Sequence, residues 1–202
     1  MKPDFIVFLD TETAGKDPRS ARVVEFAWVV CDTSGKILIE ETRLVQPDGF
    51  EIPAEATAIH GISTLEAKEE GEPLKDELEH FLRDSIPAGL VVGHNIAYDA
   101  DLILAECSRA GIDCSRFSGM VRFCTMLGLM DFCAIPSPYS RHKFKFPKLS
   151  EAYTAVCRKQ MIDCHDALVD TGACMEMFFS ALDQGIFRYN ESDPAITVEV
   201  CR

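Results

Sequence analysis

The chain has 202 residues, 47% hydrophobic and 26% charged, which suits one soluble globular domain with a single core. Its net charge of −13 argues against non-specific nucleic-acid binding, which runs on many Lys/Arg–phosphate contacts. Any nucleic acid must be handled locally, through metal ions or a small basic patch.

The nine Cys are odd in number and include no C-x-x-C pair, so the composition favours reduced thiols in a cytoplasmic protein over a zinc framework or a secreted disulfide scaffold. Met1-Lys2-Pro3-Asp4 precedes only five apolar residues, too few for a secretory signal, and no apolar run reaches the length of a membrane span.

Residues 5–9 are an unbroken apolar run and predict a buried strand that ends on Asp10-Thr11-Glu12-Thr13. Gly15 to Arg22 predicts a loop. "VVEFAWVVC" (23–31) and "KILIEETRLV" (36–45) predict two more strands joined by a hairpin turn at Asp32-Thr33-Ser34-Gly35. The chain therefore opens with an antiparallel three-strand meander. Leu74, Leu78, Phe81 and Leu82 then fall at helical spacing after Pro73. "GLVVGHN" (89–95) predicts a short strand, and 98–110 a helix stopped by Gly111. A strand followed by a helix is expected over 121–131 and an irregular loop over 132–148. Helices are expected over 148–157 and 166–183. Residues 186–202 read as a short C-terminal tail to a single domain over 1–185. The order gives an α/β fold with a mixed β-sheet, the meander being extended by parallel strands that arrive through helical crossovers.

Asp10 and Glu12 are two apart on a strand and share a face. Two carboxylates this close repel unless a proton or a cation lies between them, and oxygen ligands suit Mg²⁺ or Mn²⁺. For D-x-E alone, two incidental acids at a solvated strand end fit as well as a metal. "VVGHNIAYD" adds Asp99 in the first turn of the next helix, where Leu102 and Ile103 place it on the inward side. "DCHDALVD" (163–170) adds His165 and Asp170, which converge only if His165 precedes the helix proper, with Asp166 at its N-terminus.

"FLDTET", "HNIAYD" and "HDALVD", in this order, resemble the three motifs of the DEDDh (DnaQ-like) exonucleases, a family that includes the proofreading ε subunit of bacterial DNA polymerase III. "AIHGI" (58–62) and "KLSEAY" (148–153) resemble two further family segments, so the likeness spans roughly residues 5–180. It implies a ribonuclease H-like fold flanked by helices. It also implies a 3′–5′ exonuclease that releases nucleoside 5′-monophosphates using two divalent cations, Mg²⁺ or Mn²⁺. Four carboxylates, Asp10, Glu12, Asp99 and Asp170, would hold two cations, which together activate water and stabilise the leaving oxygen. His165 suits the general base, since an unperturbed imidazole titrates at about 6.5. The family often has two Thr after the Glu; the second is Ala14 here, which bears on contacts to the terminal nucleotide.

The resemblance places Thr11 and Thr13 in the 3′-terminal nucleotide site, bordered by His60, Asn95 and Tyr98. The segment "RHKFKFPK" (141–148) is the largest local reversal of charge. Basic residues interleaved with aromatics suit a single strand, with Lys143 and Lys145 as phosphate contacts, and suit a solvated loop equally well. The expected partner is a single-stranded 3′ end, DNA favoured over RNA, with a polymerase or a second copy of the chain as further partners and no membrane. Two rivals remain. A nuclease-fold binding module or polymerase-associated subunit would bind without turnover. A haloacid dehalogenase-like phosphatase would need Asp at position 12 and would leave "HNIAYD" and "HDALVD" unexplained.

Overall fold

The computed structural model describes residues 5–139, 143–162, 165–190 and 198–201. Strands β1 (Phe5–Thr13), β2 (Val23–Asp32) and β3 (Ile37–Leu44) open the chain. Helices α1 (Ala54–His60), α2 (Thr64–Glu70) and α3 (Leu74–Ser85) follow, then strand β4 (Leu90–Gly93) and helix α4 (Ile96–Ala110). After α5 (Ser115–Ser118) come strand β5 (Val121–Cys124) and the short helices α6 (Thr125–Gly128) and α7 (Met130–Cys133). Helices α8 (Leu149–Cys157) and α9 (Ala167–Asp183) and strands β6 (Phe187–Tyr189) and β7 (Val198–Val200) complete the described chain. Among the described residues, no helix is long and apolar enough to cross a membrane.

The main sheet has the order β3-β2-β1-β4-β5. β1 is central, antiparallel to β2 and parallel to β4, so the meander and the parallel extension meet on it. Alternation along β1 assigns its side chains to two cores. Val7 and Leu9 face Leu78, Phe81, Leu102 and Ile103 of α3 and α4. Ile6 and Phe8 face Ala152, Val156, Cys174 and Phe178 of α8 and α9. Phe8 meets the Phe178 ring edge-on, with centroids 5.5 Å apart.

Two features depart from the sequence expectation. Helices α1 and α2 fill a stretch to which the sequence assigned no element; α1 buries no side chain, so it carries no apolar period to detect. The described part of the expected tail is packed rather than loose. β6 pairs with β7, and Phe187 is buried against Phe123, ring centroids 4.8 Å apart. Phe187 lies on a three-residue strand, too short to show a pattern.

A buried ion cluster ties the loop after β1 to α4. Glu106 is fully buried; its Oε1 accepts from Arg22 Nε at 2.8 Å and Val23 N at 3.2 Å, and its Oε2 lies 3.2 Å from Arg109 Nη1. Removing the carboxylate takes the shared acceptor from Arg22, Arg109 and the buried amide of Val23. Glu106→Ala should therefore cost about 2–3 kcal/mol. At this chain length that lowers Tm by roughly 5–10 °C in a melting experiment.

Candidate active site

The site begins where β1 outruns its neighbour. The parallel pairing with β4 ends at Phe8↔Val92, so Asp10 to Thr13 extend past the carboxyl end of β4. Backbone approaches backbone closely there: a Cβ on Gly93 would stand 2.9 Å from Leu9 O. The chain turns at Asn95, in the left-handed region at φ 76°, and α4 starts beside the β1 end.

Strand parity sorts the motif residues. Asp10 and Glu12 continue the face covered by α9, which carries Asp170. Thr11 and Thr13 continue the face covered by α4. The Thr11 hydroxyl donates to Asp99 Oδ1 at 2.7 Å. Thr13 Oγ1 lies 3.1 Å from the Tyr98 hydroxyl, which donates to Gly15 O at 2.7 Å. β1 thus draws α4 and α9 to one strand end, and with them Asp99 and Asp170.

His165 precedes α9, with a left-handed φ of 73°. Asp166 caps the helix, its Oδ1 accepting from Leu168 N at 3.0 Å and Val169 N at 2.9 Å. The backbone amide of His165 donates to Asp170 Oδ2 at 3.3 Å, which ties His165 to the acid one turn on. Asp170 Oδ1 is buried and has no hydrogen-bond partner among the described residues. Glu12, His165 and Asp170 each offer a ligand atom, and these atoms lie within 4.8 Å of one another.

Burial raises the pKa of every motif acid. Glu12 is pushed up to about 8 by burial, then by the charges of Asp170 and Glu25. Burial pushes Asp99 up to about 7 against the Thr11 bond, and Asp170 to about 6 against the His165 amide. Asp10 is raised well above the carboxylate range by burial and by Asp99 and Asp170. These acids repel one another across a site that also holds an orphaned buried carboxylate oxygen. A divalent cation relieves both, and oxygen donors suit a hard one.

Glu25 is a fifth acid that sequence reasoning missed. It sits directly across from Glu12 on β2, and its Oε2 accepts from Ala167 N at 3.4 Å, at the start of α9. Burial raises its pKa. Its place depends on the β1–β2 register, and "VVEFA" by itself carries no sign of that.

A cleft of about 750 Å³ opens beside Glu12 and His165. Thr13, His60, Asn95 and Tyr98 line it, together with Ala14, Lys16 and Ile59. His60 closes α1; Gly61 follows it at φ 81°, and Ile62 N donates back to His60 Nδ1 at 3.1 Å. Burial and the neighbouring His165 lower the His60 pKa. Thr11 faces Asp99 instead of the cleft. Lys143 and Lys145 do not line it either. Lys145 is paired with Glu151 at 2.7 Å, and Lys143 stands 4.8 Å from the centroid of the Phe144 ring. Lys148, at the start of α8, does not line the cleft either, its N donating to Glu151 Oε2 at 2.8 Å, and Arg141 and His142 lie outside the described residues. His94 is structural: its ring nitrogens lie 3.0 Å from Thr125 Oγ1 and 2.9 Å from Pro147 O, pinning the end of the basic segment.

The model of the exonuclease family RNase_T matches residues 7–178. The chain belongs to this exonuclease family. Its members are DEDD hydrolases of the 3′–5′ exonuclease type, and the family implies divalent metal ions. The exonuclease is similar in fold to E. coli Exonuclease I. The match to its complex with a dA16 oligonucleotide has a TM-score of 0.74 and 20% identity over 89% of this chain and 41% of that one. The zinc-bound Exonuclease I–ssDNA complex matches at a TM-score of 0.75 and 21% identity over 90% and 41%. A further Exonuclease I structure matches at 0.75 and 22% over 89% and 41%. The exonuclease thus spans about two fifths of the length of these structures, and its mixed sheet has the ribonuclease H-like arrangement. A comparison with curated protein sequences found no match.

Proposed function

We propose that the exonuclease removes nucleotides from the 3′ end of single-stranded nucleic acid, DNA in preference to RNA, and releases nucleoside 5′-monophosphates. The convergence of four acids beside His165, with Glu12 and His165 on the wall of one cleft, carries this reading. Asp10, Glu12, Asp99 and Asp170 would hold two divalent cations, Mg²⁺ or Mn²⁺. When bound, these supply charge stabilisation on the attacking and leaving oxygens.

The remaining work falls to the chain. The imidazole of His165, exposed on the cleft, takes a proton from the attacking water. The water oxygen bonds to phosphorus and the P–O3′ bond breaks; the departing O3′ takes a proton from solvent to become the new 3′-hydroxyl of the strand, and the phosphate stays on the 5′ carbon of the released nucleotide. The amide of His165 on Asp170 fixes the base relative to the acids. Thr13 and Tyr98, bonded to each other, shape the terminal nucleotide site with His60 and Asn95. The oligonucleotide complexes of Exonuclease I support a single strand as substrate.

Product analysis on 5′-labelled single-stranded DNA and RNA tests this, with Mg²⁺ or Mn²⁺, with EDTA, and with Asp10→Ala. A ladder shortening from the 3′ end, lost with EDTA and in the variant and faster on DNA, is expected. No ladder on either substrate, with folded protein and metal present, would refute turnover and favour a binding module.

A further inference from the structure

The exonuclease must hold a polyanion in an acidic cleft on a chain of net charge −13. Among the described residues lining the cleft, Lys16 is the only Lys or Arg. It is exposed, and among the described residues it has no hydrogen-bond or ion-pair partner. The nearest acid in sequence does not neutralise it: Asp17 turns into its own loop, its Oδ1 accepting from Arg19 N at 3.0 Å. The basic segment, in contrast, commits Lys145 to Glu151.

The loop that carries Lys16 is held at both ends by α4. Near its start, the Tyr98 hydroxyl donates to Gly15 O at 2.7 Å. Near its end, Arg109 donates from Nη1 to Ala21 O at 3.2 Å and from Nη2 to Arg19 O, and buried Glu106 holds Arg109 and Arg22. Ala14 N also donates to Arg22 O at 2.9 Å and closes the loop across its base. Arg19, the loop's other exposed cation, does not line the cleft, so the clamped loop presents Lys16 there with little further ordering, which is what a phosphate contact requires.

We propose that Lys16 is the phosphate-gripping residue of this exonuclease, holding the backbone of the substrate strand beside its 3′-terminal nucleotide. The proposal rests on the exonuclease reading above. It assigns the grip to a loop that carries no basic cluster, and it leaves the lysines of 141–148 without that role.

The test uses the full chain and a 5′-fluorescein oligothymidylate. Steady-state kinetics with Mn²⁺ give kcat and KM. Anisotropy with Ca²⁺ between about 50 and 200 mM KCl gives the salt slope of binding. Lys16→Ala should raise KM about three- to tenfold, leave kcat within about twofold, and reduce the slope by about 0.7, the share of one single-strand phosphate. Lys16→Arg should keep both near the parent values. Lys36→Ala makes the same change of charge at the β2–β3 turn, next to the opposite end of β1, and should change nothing. A parent-like KM and slope in Lys16→Ala, with the parent hydrolysing normally, would overturn the proposal alone. An equal shift in Lys36→Ala would reduce it to a general field effect and also overturn it. A parent that neither binds nor hydrolyses the oligonucleotide would overturn the proposal together with the exonuclease reading.

Discussion

Asp10→Asn should lower kcat by about a thousandfold or more while raising the thermal stability of the metal-free protein at neutral pH. Both effects have one cause. Asp10, Glu12, Asp99 and Asp170 are buried together and all have raised pKa values. A carboxyl whose folded pKa exceeds its unfolded value binds its proton more tightly in the folded state. Its contribution is complete below the unfolded value of about 4 and is lost as pH rises through the folded value. The loss therefore runs through about 6 for Asp170, about 7 for Asp99 and about 8 for Glu12. In EDTA, the parent's Tm should fall steadily from pH 5 to pH 8. Divalent cation at a hundred times its Kd returns about 2.7 kcal/mol, or roughly 5–11 °C. Asn at position 10 removes one titrating group and one potential cation ligand from the cluster, so the fall should be shallower and the metal increment smaller. A Tm in EDTA that stays flat over this range, or an equal metal increment in parent and variant, would show that these acids do not form one cation site.

What could be read from the sequence was what is local. The apolar run Phe5–Leu9 set the strand, and the two-residue period put Asp10 and Glu12 on one face. Asp99 was visible because it lies in the first turn of the helix that follows a short strand, and Asp166 because it caps the helix that carries Asp170. The site residues missed were those defined by partners distant in the chain. Glu25 matters because β2 pairs it with Glu12. Lys16 was overlooked because composition counts charges and does not show which are neutralised; the basic segment outweighed it on paper, yet Lys145 is paired with Glu151. Helix α2 did carry a readable signal, Ser63 and Glu66 in a capping box, but its seven residues bury one side chain, so its apolar pattern is too sparse to register. Fold class follows from the order of elements, while the cleft depends on which loops α4 holds down.

His165→Gly separates the chemistry of the base from its structural role. His165 has φ 73°, a conformation that costs a residue with a Cβ roughly 1–2 kcal/mol and costs Gly almost nothing. Gly also frees the unfolded chain, a loss of about 0.4–1 kcal/mol, so the two terms largely cancel and Tm should stay within a few degrees of the parent. The backbone amide that donates to Asp170 Oδ2 survives the substitution, so the acid keeps its anchor. Only the imidazole is lost. The expected result is a fall in kcat of about 10²–10⁴ with little change in KM, because a general base acts in the transition state and not in substrate binding. Imidazole added to the buffer should restore part of the rate and saturate, since the vacated position opens on the cleft. The metal increment in Tm should be unchanged. That readout matters because His165 offers an atom within 4.8 Å of ligand atoms of Glu12 and Asp170, close enough to bind the cation directly. A lost increment would make His165 a metal ligand. A kcat within tenfold of the parent would return the proton to another acceptor.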